Sequence, residues 1–372
     1  MFPNVTFVVP CYKLGHLLPD CISSILMQTY RDYEVLIMDD CSPDETPQVA
    51  AAFADPRVQH IRNEPNLGHL RNYNKGIELA RGKYIWLISA DDCLRSRYVL
   101  ERYVGLMEAH PNVGYAFCPA IRLEDGREKE LLEYSVQGPK DVILDGREFL
   151  HRLIYANTII APSTMARKEC YERVSMFPLN MPWGGDWYLW CMFALHFDVA
   201  YFADPMVCYR RHALSMTNHL MKAHVDSCSQ EDVELPWIIK REAERLGYRS
   251  VVKHCRRAIA CEYARTMATQ RYRTARPSMS VERYEKSLLE HVSGEHERKW
   301  IQARVRAAMG DHYYWQNEYT KAQESYYLAV QKDPWMPKIL AKYLLLRSGN
   351  AGIQFRNGLR ACRRGVAHIM AD

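Results

Sequence analysis

No stretch of the 372-residue chain sustains the roughly 18 apolar residues that a membrane span requires, so no membrane-crossing helix is expected. The twelve cysteines are scattered singly, with no C-x-x-C pair and no regular spacing. That pattern excludes a disulfide framework and a structural zinc site as working assumptions and leaves reduced thiols. The start of the chain carries neither a basic n-region nor a small-residue cleavage site, and strand-like Val5 to Val9 follows almost at once. The expectation is a cytoplasmic protein.

What is present is the composition of a soluble globular protein, 48% hydrophobic and 25% charged. The length is too great for one ordinary core, so two or three domains are expected. A net charge of +5 conceals an asymmetry: residues 1–220 carry a net −5 and residues 221–372 a net +10. The two parts are expected to do different jobs. Because the positive charge is confined to the second part, nucleic acid is not an expected partner.

The informative stretch is Tyr84 to Leu94. Apolar Tyr84 to Ile88 reads as a buried strand, and it ends in Ser89, Ala90 and two adjacent acids, Asp91 and Asp92. In open α/β sheets ligands lie outside the carboxyl ends of the strands, so this pair is placed to hold a hard divalent cation and the diphosphate it bridges. The alternative is a solvated strand-to-helix turn with Asp92 near a helix N-terminus.

Earlier segments repeat the pattern. Strands are expected at Val5 to Pro10, Tyr33 to Met38 and Val58 to Arg62, and helices at Leu14 to Gln28, Val49 to Phe53 (capped by Ser42 or Asp44) and Leu70 to Ala80. Crossovers of this length argue for a parallel sheet covered on both faces. A second acidic pair, Asp39-Asp40, follows the second strand and would face the same crevice.

Val8-Val9-Pro10-Cys11-Tyr12, Ile37-Met38-Asp39-Asp40-Cys41-Ser42, Asn66-Leu67-Gly68, Arg71-Asn72 and Ser89-Ala90-Asp91-Asp92 resemble, in order, the signatures of the family 2 glycosyltransferases, which have the GT-A fold. The resemblance is dense over about residues 4–95 and looser to about 220. It implies a nucleotide-sugar donor across the strand ends, bound by Pro10, Tyr12, Asp39, Arg71 and Asp91. Tyr12 would stack on the base. Asp39 would accept from a base imide N–H, which favours UDP but admits dTDP. Arg71 would sit near the base or phosphates. Asp92 would hold Mn²⁺ or Mg²⁺. Many members carry Asp where this chain has Ser89, so its metal site rests on fewer carboxylates.

Further along, charged residues 122–141, with Gly126, Gly138 and Pro139, read as a hairpin or a mobile insertion near the acceptor side. Asp145 is placed to cap a helix, and residues 166–174 read as another. Met181 to Trp190 sets Asp186 at the mouth of an aromatic helix; the family usually has an acid at the preceding position, here Gly185. By resemblance Asp186 is the general base of an inverting transfer to a hydroxyl of a glycan or lipid-linked acceptor. It also reads as the N-cap of its helix. Trp183 and Trp187 fit either a sugar platform or the core. Tyr209-Arg210-Arg211-His212 resembles the family's Tyr-Arg-x-His segment, in which His212 is a metal or diphosphate ligand; a structural histidine is the alternative.

Beyond about Leu220 strand signals vanish, so the fold class expected is α/β GT-A followed by an all-α domain over 221–372. Gly310, Tyr313, Tyr319, Ala322, Tyr326, Ala329 and Pro334 match the small and aromatic positions of one tetratricopeptide repeat, with a hairpin near 303–336 that could bind a protein partner. A last helix, with Phe355, Leu359, Cys362, Val366 and Ile369 on one face and Arg356, Arg360, Arg363 and Arg364 on another, suits peripheral contact with an anionic membrane at its inner face, or docking on its own domain. A rival from another class is a non-catalytic scaffold, suggested by Ser89 and Gly185. A nucleotidyltransferase would need a glycine-rich basic loop after the first strand, where Lys13 stands alone.

Overall fold

The structure is a computed structural model and describes residues 2–270, 292, 294–355 and 357, apart from 214 and 224. The chain divides into two compact units, one ending at Glu231 and the other beginning at Asp232. No helix among the described residues is long and apolar enough to cross a membrane.

The first unit opens with β1 (Val5–Cys11), α1 (Leu18–Leu26), β2 (Tyr33–Asp39), α2 (Thr46–Ala51), β3 (Val58–Arg62), α3 (His69–Leu79) and β4 (Tyr84–Leu87). β1 and β2 are buried at every position, so they read as continuous apolar runs rather than alternating ones. After these come β5 (Cys93–Leu94), α4 (Val99–Ala109), β6 (Val113–Phe117), β7 (Ala120–Glu124), β8 (Arg127–Leu131), β9 (Val142–Leu144) and α5 (Gly146–Leu153). β10 (Met165–Arg167), α6 (Lys168–Val174), α7 (Gly185–His196), β11 (Asp198–Tyr201), β12 (Val207–Arg210) and α8 (Met216–Ala223) follow, and α9 (Val225–Arg245) begins in the first unit and ends in the second.

The main sheet has the order β3-β2-β1-β4-β10-β6-β11-β9. Its first four strands are parallel, as the sequence suggests. The chain moves outward through β1, β2 and β3, then returns to place β4 on the other side of β1. That reversal opens a crevice between the ends of β1 and β4, where ligands bind in such sheets. Beyond β4 the sheet is mixed, because β10 runs antiparallel to both β4 and β6. Residues 166–174 were expected to be wholly helical, yet the helix starts at Lys168. The buried guanidinium of Arg167 donates to the carbonyls of Val113 (2.7 Å) and Met107 (2.5 Å) and holds the short strand in the sheet. Single-residue propensity carries no trace of so long-range a clasp.

A smaller sheet, β5-β12-β7-β8, carries the expected hairpin. Asp125 and Gly126 both have positive φ, +51° and +71°, the pairing that a two-residue turn twisted with its strands requires. Asp145 caps α5, its carboxylate accepting the N–H groups of Arg147 and Glu148 at 3.0 Å each. Ser42 does not cap α2; its hydroxyl accepts the N–H of Lys13 (3.1 Å) and ties the loop after β2 to the loop after β1. Within the core, Phe7, Trp86, Tyr103 and Phe202 form a chain of rings with centroids 4.5–5.5 Å apart. The Trp86 and Tyr103 polar tips reach the carbonyls of Pro162 and Ser163, each at 2.8 Å, so both of these rings have their donors satisfied.

The second unit is helical: α10 (Arg249–Gln270), α11 (Glu295–Trp315), α12 (Tyr319–Lys332) and α13 (Pro337–Arg347). α11 and α12 form the hairpin foreseen near 303–336, with Tyr313, Ala322, Tyr326 and Ala329 buried. The basic terminal helix lies outside the described residues except at 351–355 and 357.

Gly310 is what allows α11 to lie against the ring of Tyr326, since a Cβ there would come within 2.6 Å of two ring carbons. Gly310→Val is therefore expected to destabilise the helical unit by about 1–3 kcal/mol, the usual cost of overpacking. A denaturant titration followed by circular dichroism measures it.

Candidate active site

Three strand ends deliver the residues singled out from the sequence. Pro10 is buried in β1, and its carbonyl accepts the N–H of Ala90 (3.1 Å), which stitches the β1 and β4 loops together. Tyr12 follows with its ring 43% exposed and the ammonium of Lys13 5.0 Å from the ring centre. It is available for stacking.

Asp39 ends β2 with its side chain fully buried. Its Oδ1 accepts the Ser42 N–H (2.8 Å); its Oδ2 accepts Arg62 Nη1 (2.7 Å) and lies 3.2 Å from His60 Nε2. Burial opposes ionisation, but the bonds from Ser42, Arg62 and His60 outweigh it and hold the carboxyl below its ordinary range. Both oxygens are thus engaged from within the protein, a feature that the Asp39-Asp40 dipeptide alone does not reveal. Asp40 orders the next loop, accepting from Asn63 Nδ2 (2.9 Å), Leu67 N (2.8 Å) and Gly68 N (2.9 Å). Arg71 projects, exposed, from the first turn of α3.

The loop after β4 packs against β12. Asp91 Oδ2 lies 2.9 Å from His212 Nε2, and its Oδ1 is buried without a hydrogen-bond partner among the described residues. Asp92 is buried and accepts the backbone N–H of Arg210 through Oδ1 (2.8 Å). Burial first, and then the negative charge of Asp91, drive the Asp92 carboxyl well above its ordinary pKa, with the Arg210 N–H opposing. Arg210 itself donates Nε to the Asp91 carbonyl (2.7 Å) and Nη2 to Asp20 (2.8 Å). It clamps the acidic loop, whereas the sequence reading gave weight only to His212 in that segment.

This donor set suits a hard cation. An orphaned buried carboxylate oxygen on Asp91, a second acid whose charge is disfavoured, and an imidazole 2.9 Å from Asp91 are groups that a divalent ion would engage. Among the described residues no three such groups are already gathered in a metal-ligating cluster, so the protein alone offers a partial cradle.

Asp186 lies in the first turn of α7, whose N-cap is Gly184, so the expected capping role falls to its neighbour. Its Oδ1 accepts the Trp187 N–H (2.6 Å), and its Oδ2 accepts Asn157 Nδ2 (3.2 Å). Burial raises its pKa to about 6, with the Trp187 and Asn157 bonds opposing the shift. Gly185 is buried, and a Cβ there would stand 3.2 Å from Phe177 and 3.5 Å from Leu70, so apolar side chains fill the place where a second acid would begin. Trp187 is core: it is 5% exposed and its Nε1 donates to the Leu153 carbonyl (2.7 Å).

Tyr73, on α3, is buried where the charges of both acidic groups reach it. Its phenol is pushed far up by burial and then by the charges of Asp91, Asp186 and Asp92 together. Tyr209, raised to about 12 chiefly by burial, feels Asp92, Tyr134 and Asp91, while Tyr134 feels Asp186. Carboxylates from two separate segments, Asp91-Asp92 and Asp186, therefore act on the same tyrosines. Asn157, Tyr73 and Arg210 were not read as site residues. Arg210 had a local signal in the Tyr-Arg-x-His spacing, and Asn157 begins the stretch to Met165 that resembles the family's acceptor-side segment, whereas Tyr73 had none.

Because Asp186 has a higher pKa in the folded state than in the unfolded chain, its contribution to stability is present at low pH and lost as pH rises through about 6. Asp186→Asn is thus expected to be more stable than the parent above pH 7, by on the order of 1–3 kcal/mol, with the advantage gone near pH 4. Thermal melts of both proteins across that range measure the difference.

Residues 6–169 match the model of a family described as Glycosyl transferase family 2. The glycosyltransferase GlyG of Streptococcus pneumoniae is 32% identical over 111 residues, 29% of this chain and 37% of that protein. The succinoglycan biosynthesis protein ExoO of Rhizobium meliloti is 41% identical over 103 residues, 27% and 30% of the two chains. The chain thus spans about a third of the length of these curated relatives. Among solved structures, residues 1–349 of S. aureus TarS in complex with UDP-GlcNAc superpose with a TM-score of 0.56 at 15% identity, covering 97% of this chain and 92% of that one.

Proposed function

From the family 2 glycosyltransferase domain at residues 6–169, on its GT-A fold, we propose that the chain moves a sugar from a nucleotide-sugar, with UDP as the carrier, to a hydroxyl of a glycan or lipid-linked acceptor, with inversion at the anomeric carbon. The observation that supports this most is the pair of buried acids at the end of β4, Asp91 with an oxygen that has no partner among the described residues and Asp92 held by the Arg210 amide. An acceptor hydroxyl beside Asp186 would stand across from a diphosphate held at Asp91 and Asp92.

In this reading Tyr12 stacks on the base, and Asp39, fixed by Arg62 and His60, faces the base imide edge. Arg71 serves the phosphates. TarS, a protein of the same fold, binds UDP-GlcNAc, a donor of this class. Asp91, Asp92 and His212 would hold Mn²⁺ or Mg²⁺, which when bound neutralises charge on the leaving diphosphate. Asp186 accepts the proton of the acceptor hydroxyl as that oxygen forms its bond to the anomeric carbon on the face opposite the diphosphate, which departs with the pair of electrons of the broken C–O bond. Its raised pKa makes it a better base than an ordinary carboxylate while leaving it ionised at pH 7. Asn157 and the Trp187 N–H fix its two oxygens, so the basic lone pair has one orientation. The tetratricopeptide-like hairpin is a candidate surface for a protein partner.

The test is a screen of UDP-, dTDP- and GDP-sugars by thermal shift and donor turnover, with and without Mn²⁺. A cation-dependent shift with one nucleotide is expected, and Asp186→Asn should keep that shift and lose about 10²–10⁴-fold in turnover. A protein that binds no nucleotide in the presence of Mn²⁺, or whose Asp186→Asn variant turns over donor at the parent rate, would instead be the non-catalytic scaffold or a different enzyme.

A further inference from the structure

The turn that delivers Asp186 is unusually dependent on outside support. Gly184 and Gly185 precede the carboxylate directly, and a glycine pair has the widest backbone freedom of any dipeptide. Neither contributes a side chain that could pin the turn. One support comes from α3, where His69 Nε2 lies 3.1 Å from the Pro182 carbonyl. The other comes from α9. Glu231, 3% exposed, turns a single oxygen, Oε2, onto two consecutive backbone donors, the Trp183 N–H at 2.9 Å and the Gly184 N–H at 2.7 Å. The second of these belongs to the N-cap residue of α7, two positions before Asp186.

We propose that Glu231 is a positioning residue for the catalytic base: by holding the Trp183–Gly184 turn through one carboxylate oxygen, it fixes where Asp186 stands relative to the donor. This rests on the assignment of Asp186 as base. Two bonds from adjacent amides to a single oxygen set both the place and the direction of the first turn of α7. A Cβ at position 185 would press on Phe177 at 3.2 Å, and the carboxylate that does meet this helix start is that of Glu231, 46 residues further along the sequence. A loss of the hold would let the glycine pair relax and displace the base, and displacements near 1 Å cost on the order of 10²-fold in rate.

Two conservative variants of the full chain separate reach from charge. Glu231→Asp keeps the charge but is one methylene too short to meet both amides; Glu231→Gln loses the charge but keeps an oxygen at the same reach. Donor turnover is measured for both, with donor KM, thermal melts and a pH profile. Glu231→Asp is expected to lose about 10–100-fold in kcat with donor KM within about twofold, and the acid limb of its profile should move down as Asp186 becomes more hydrated. Glu231→Gln should stay within about threefold of the parent. A parent-like kcat in Glu231→Asp overturns the proposal. So does equal damage in the two variants, or a fall in kcat accompanied by matching losses of donor affinity and melting temperature. If the parent itself turns over no nucleotide-sugar, the enzyme assignment fails and the role of Glu231 fails with it.

Discussion

The structure depends on keeping several carboxylates dry and close together at one edge of a parallel sheet. Like charges in such a place repel, and burial makes each more costly. Every acid here has a specific answer to that cost. Asp39 has Arg62, His60 and the Ser42 amide; Asp40 has two backbone amides and Asn63; Asp92 has the Arg210 amide; Asp91 has His212 on one oxygen only. The satisfied acids shape the crevice. The incompletely satisfied ones, Asp91 and Asp92, are where a cation would complete the arrangement.

That division also separates the chemistry. Asp186 meets desolvation without a strong cationic partner, so its pKa rises to about 6, which suits the proton-accepting role proposed for it. Asp39 meets desolvation with an arginine, so it stays ionised and acts as a fixed acceptor. Identical side chains are sorted into different roles by their partners, and the partners come from distant parts of the chain: Arg62, Arg210, Asn157 and, for the turn beneath Asp186, Glu231.

Those distances explain what could be read from the sequence. The β1-to-β4 half was legible because apolar runs of strand length end in acids, and both signals are local. Asp145 as a cap was legible for the same reason, and Gly126 marked the region of the hairpin without fixing its turn. β10 was not, because its place in the sheet depends on Arg167 reaching carbonyls more than fifty residues away. Asp186 could be placed beside a helix mouth, but Gly184 as its true cap, Asn157 as its partner and Trp187 as core required three-dimensional contacts. The departures at Ser89 and Gly185 looked like losses in the linear chain. Around Gly185, close packing by Phe177 and Leu70 and the carboxylate of Glu231 give the gap a physical account.

The central claim is that acids from separate segments converge on one cation-bridged nucleotide. It is tested most directly by anomalous diffraction from crystals grown with Mn²⁺ and UDP. A single manganese peak in contact with Asp91, Asp92 or His212, with the diphosphate on its far side and Asp186 facing the same space, is the result the account predicts. Nucleotide bound away from the ends of β1 and β4, or manganese bound remote from Asp91 and Asp92, would contradict it.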